Sequence, residues 1–132
     1  MADLVTRWLR TSGNSLSDFD GLCLELADEV SKSLSSKGVT HGTLWLDSVL
    51  GDCEKIVGHY PGHKEEWYYH VVILVGEFVH DAWLGKRMKI EEYFASVFPG
   101  QRLAMELRDE SGRVVRVGTW KNSIMRWRRG LR

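Results

Sequence analysis

Residues 69–75, Tyr-His-Val-Val-Ile-Leu-Val, are the most constraining stretch of the chain. Side chains branched at Cβ crowd a helix but pack well on a pleated surface, so this run reads as a strand. Gly76-Glu77 suits the tight turn between adjacent antiparallel strands, and Phe78 to Trp83 is expected to be the returning strand. A two-residue turn there pairs Val75 with Phe78, Val72 with Asp81 and His70 with Trp83. Directly opposed residues share a face, so Asp81 becomes a diagonal neighbour of His70, with backbone positions about 7–8 Å apart. A slip of one residue would send Asp81 to the other face. The same register turns His80 away from His70.

The flanking segments build a domain around this hairpin. Leu4, Val5, Trp8 and Leu9 fall at helical spacing, predicting a short helix over Ala2 to Leu9, and Thr11 to Ser17 reads as a loop. A second helix should start after Asp18 or Asp20, either of which can cap it. Its inward stripe is Cys23, Leu26, Ala27, Val30 and Leu34, and it should stop near Ser36-Lys37-Gly38. Thr43 to Leu46 is a strand and Glu54 to Val57 a weaker one. Gly58 to Glu66, with Pro61-Gly62 and two histidines, reads as a polar loop. Ile90 to Val97 has one apolar face and ends before Pro99-Gly100. Leu103 to Leu107 and Val114 to Val117 flank a second hairpin at Ser111-Gly112. This order predicts one α+β domain over residues 1–132, with N-terminal helices packed on an antiparallel sheet.

Composition narrows the function classes. Eighteen basic and eighteen acidic residues cancel, which removes any whole-protein pull toward nucleic acid or anionic membrane. No apolar run nears the roughly 20 residues that span a bilayer. Met1-Ala2-Asp3 opens without the basic and apolar regions of a secretory leader, so a cytoplasmic location is expected. Two cysteines supply no disulfide framework, and a reducing compartment keeps Cys23 and Cys53 as free thiols. His59, His63 and Cys53 lack ligand spacing and a fourth partner, so no metal or other cofactor is expected.

The chemistry-bearing set is Cys23, His70 and Asp81. Backbone N–H groups in the first turn of a helix favour an anion, so a thiolate at Cys23 is stabilised there. His70 supplies a base, and a carboxylate at Asp81 fixes its tautomer and stabilises the imidazolium. The same N–H groups can hold an oxyanion, with Asn14 or Ser17 as the candidate side-chain donor. Trp67, Tyr68 and Tyr69 are candidates to line a substrate groove. Each residue also has a plainer reading: a core thiol, a packing histidine, a capping aspartate, core aromatics.

Gly21-Leu22-Cys23 with Ala27 on the same helix, then a strand opening on His70, a turn and a strand ending in Asp81, resembles the papain-like cysteine superfamily. Within it the likeness is to compact members related to transglutaminase-like and NlpC/P60-like domains. The resemblance spans Ser17 to Gly85 and rests on order and spacing; Leu24 stands where the family carries a Trp. It implies a papain-like fold and a thiol hydrolase acting on amide bonds (a peptidase, isopeptidase or protein deamidase) through an acyl-enzyme. By position Cys23 is the nucleophile, His70 the base and Asp81 the orienting acid, with a protein or peptide as substrate. The alternative is a non-catalytic interaction protein on the same scaffold. Its basic end, Trp120 to Arg132, would grip a protein or nucleic-acid partner.

Overall fold

The structure, a computed structural model, describes residues 23–50 and 54–128, with side chains from Glu25 onward. The predicted first helix, the loop after it and the capping aspartates lie outside these residues. Helix α1 (Cys23–Ser36) is the predicted second helix. Leu26, Ala27, Val30 and Leu34 recur every three or four residues and are buried, whereas Asp28, Glu29 and Lys32 are exposed. At its end Gly38 N–H donates to the Ser35 carbonyl and Val39 N–H to the Leu34 carbonyl, satisfying the last turn.

Strands β1 (Gly42–Ser48), β2 (Ile56–Tyr60), β3 (His63–Trp67), β4 (Tyr69–Val75), β5 (Phe78–His80) and β6 (Arg87–Lys89) follow in chain order. Helix α2 (Ile90–Val97) precedes β7 (Leu103–Arg108), β8 (Val114–Lys121) and β9 (Ile124–Trp127). Seven strands make one antiparallel sheet in the order β6-β5-β4-β1-β7-β8-β9, and β2-β3 form a separate hairpin. The fold is therefore α+β, with helices packed on an antiparallel sheet. Among the described residues no helix is long and apolar enough to cross a membrane.

The sheet is the middle of three layers. Leu44 and Leu46 of β1 oppose Val72 and His70 of β4 on one side, and Leu107 and Met105 of β7 on the other. That face packs against Tyr93, Phe94 and Val97 of α2, against Phe98, and against Ile56 and Tyr60 of the hairpin. Because side chains alternate along a strand, Val71 and Ile73 point the other way, and there they meet α1. Each fully buried apolar side chain in these layers contributes about 1.5–3 kcal/mol.

Three local expectations are corrected. Gly58 to Glu66 is not a loop but most of the β2-β3 hairpin. Ile56, Gly58 and Tyr60 alternate inward, and Pro61-Gly62 forms the tip with Gly62 at φ 84°. The Gln101 side chain ties it down, accepting from Val57 N–H at 2.9 Å and donating to Val57 O at 2.7 Å. The returning strand stops at His80, not Trp83. Val75 does face Phe78, but the ladder ends at Ile73–His80, so Val72–Asp81 and His70–Trp83 do not pair. A turn replaces them, with Trp83 N–H donating to Asp81 Oδ1 at 2.9 Å and Leu84 N–H to the Asp81 carbonyl at 3.1 Å. Finally, β8 runs on to Lys121, and Asn122-Ser123, both with positive φ, turn it into β9.

Candidate functional site

His70 and Asp81 come together. The imidazole Nε2 lies 3.1 Å from Asp81 Oδ2, and the two residues are 1% and 0% exposed. The early end of β5 makes this contact possible. Released from the ladder, Asp81 turns its carboxylate inward, where Oδ1 caps the turn and Oδ2 faces the imidazole. The other ring nitrogen, Nδ1, is buried as well.

The carboxylate has two further donors. Tyr60 Oη and Tyr93 Oη each lie 2.5 Å from the same Oδ2, short distances typical of a hydroxyl donating to an anion. Burial alone would raise the Asp81 carboxyl. The His70 charge and the hydrogen bonds from His70, Tyr60 and Tyr93 outweigh it and hold the carboxyl below its ordinary value. Burial, reinforced by the Asp81 charge, pushes both phenols well above theirs, so they stay protonated donors. Trp67 completes the enclosure, its ring stacked on that of His70 with centroids 4.0 Å apart and planes within 10°.

The other sequence candidates are distributed as follows. Cys23 lies in α1 where the described residues begin, and its side chain, like Asn14, Ser17 and Cys53, lies outside them. Helix α1 packs on the very strand that carries His70, but on the Val71–Ile73 face. The His70 ring enters the opposite layer. His80 turns away from His70, as the register demands. The three aromatic residues proposed for a groove do not act together. Trp67 covers His70, Tyr68 is 53% exposed with the Lys55 ammonium 5.1 Å from its ring, and Tyr69 lines a groove. His59 and His63 lie on the hairpin, and no group of three or more metal-ligating side chains gathers among the described residues.

That groove lies on the α1 side of the sheet, over β1, β7, β8 and β9, with a volume of about 640 Å³. Trp45 and Tyr69 stack at one end, centroids 5.9 Å apart, and the Arg108 guanidinium lies 3.9 Å from the centre of the Trp45 ring. Glu106 accepts from Arg108 Nε at 2.6 Å. Arg126 and Arg128 form the other end.

Sequence reasoning missed Tyr60, Tyr93 and this groove. Tyr93 was legible in principle, because a phenol on the inward stripe of α2 needs a buried acceptor. Tyr60 was hidden by the loop assignment. The groove depends on strands pairing across more than 50 positions, as Ser48 with Leu103 does, which local pattern does not reveal. The chain matches no known family model and no curated protein.

Proposed function

We propose that the chain is a cysteine-dependent amide hydrolase of papain-like fold, with Cys23 as nucleophile, His70 as base and Asp81 as the group that orients it. The observation that carries this reading is the buried His70–Asp81 pair, in which the carboxylate holds the imidazole through Nε2 at 3.1 Å. In this reaction the Cys23 thiol gives its proton to His70 Nδ1 and the thiolate attacks an amide carbonyl carbon. The imidazolium then protonates the leaving amine, and water hydrolyses the thioester to a carboxylic acid and the regenerated thiol.

Alkylation with iodoacetamide, followed residue by residue by mass spectrometry, tests the reading. Cys23 should react much faster than Cys53 well below pH 8.5, the ordinary thiol value being about 8.5. His70→Ala should abolish the difference. Equal, slow labelling of both thiols in the parent protein would overturn the assignment.

A second reading, a non-catalytic interaction protein, is favoured by one specific observation. Arg126, Trp127 and Arg128 of the basic end line the groove rather than hanging free in solvent.

A further inference from the structure

We infer that the groove over β1, β7, β8 and β9 is a docking site for an acidic, extended segment of a protein partner. Two rows of side chains, set by strand register, cross its floor. Tyr69, Asp47, Ala104, Thr119 and Arg126 stand opposite one another on successive strands from β4 to β9. Trp45, Glu106 and Val117 form the next row, and Arg128 N–H continues it by donating to the Val117 carbonyl at 2.8 Å. Strands lie about 4.8 Å apart, so the rows set Trp45 about 14 Å from Arg128 and Tyr69 about 19 Å from Arg126, with Asp47, Ala104 and Thr119 between in one row and Glu106 and Val117 in the other.

The two ends differ in electrostatic state. Arg108 is engaged, by the Glu106 carboxylate and by the Trp45 ring. Arg126 and Arg128, two positions apart and so on one face, are exposed and form no ion pair among the described residues. Two adjacent guanidinium groups call for carboxylates, which they bind in a forked geometry. The Trp45–Tyr69 pair, with Tyr69 43% exposed, offers a stacking surface for an aromatic or apolar side chain of the same segment.

A nucleic acid fits less well, although rings and arginines on a sheet are its usual platform. Its negative charge repeats at every nucleotide, so a strand crossing the floor would bring phosphates against Asp47 and Glu106. A peptide can concentrate its charge at one end. This inference does not rest on the hydrolase reading, since it needs no chemistry at Cys23.

Fluorescence anisotropy with the full chain provides the test. The probe is a fluorescein-labelled decapeptide with Asp and Glu at one end, Ser in the middle and one Phe at the other end, compared with its Lys-for-Asp/Glu counterpart and with oligouridine. The acidic peptide should bind saturably and weaken as salt rises. R126E/R128E should lower its affinity by more than about tenfold, and R126A/R128A less. Y69A should lower it about threefold without changing the salt dependence. Binding of the Lys peptide or of oligouridine as tight as the acidic peptide, or no saturable binding of the acidic peptide, overturns the inference. So does full affinity in either folded double variant. Alkylation of Cys23, measured in parallel, keeps the outcomes apart: an inert thiol with intact peptide binding sinks the hydrolase and leaves the groove standing.

Discussion

Tyr69 and His70 are consecutive residues with opposite environments. His70 points into a layer roofed by α2 and the β2-β3 hairpin, and Tyr69 into a groove that α1 leaves open. Under the roof the polar groups answer one another: one carboxylate oxygen accepts from an imidazole and two phenols, all withdrawn from water. In the groove, guanidinium and carboxyl groups keep their access to solvent and hence to other partners. A single strand thus presents a fixed polar network on one side and an exchangeable one on the other. The covering, more than the residue types, sets which is which.

The contrast can be broken most severely at Asp81. Asp81→Ala leaves two phenols and an imidazole buried without their acceptor, and should cost about 3–5 kcal/mol in urea unfolding. Tyr93→Phe removes one donor to a charged acceptor and should cost about 2 kcal/mol. The pH dependence sharpens the comparison. Asp81 is depressed by folding, so the stability it adds is present above the ordinary carboxylate value of about 3.9 and is lost as pH falls through its lower folded value. The phenols are raised, so their share is present below about pH 10 and is lost as pH rises beyond it. Circular dichroism across pH should show both limbs, with the acid limb moved to higher pH in Tyr93→Phe. In the groove, Arg108→Ala should cost less than about 1 kcal/mol of stability, its ion pair with Glu106 being about one third exposed. A loss at Arg108 as large as that at Asp81 would erase the distinction between the two sides.

What the sequence disclosed follows the strength of local pattern. The inward stripe of α1, the β4 run and the apolar face of α2 each repeat a period that only one element satisfies, and all three formed where the pattern places them. The meeting of His70 with Asp81 was legible as well, although by a shorter route than a continued ladder. The carboxylate's preference for capping its own turn, which ends β5 early, has no signature in hydrophobic alternation. The hairpin at Gly58–Trp67 escaped because its outward positions are His59, Lys64 and Glu66, so polarity concealed a period of two. Gly58 belongs to that hairpin for a packing reason: a Cβ there would stand 2.7 Å from the Trp67 ring. The groove was illegible because it belongs to no single segment.

The position of β1 has a kinetic consequence. It is the fourth of seven strands, yet its neighbours arrive late in the chain: Asp47 meets Tyr69, and Ser48 meets Leu103. Two long loops must close before the middle of the sheet exists, and loop closure slows folding when contacts are distant. During synthesis Leu44 and Leu46 would wait, unmated, until residues beyond 100 emerge from the ribosome. In that interval the nascent polypeptide is most exposed to aggregation and most dependent on chaperones.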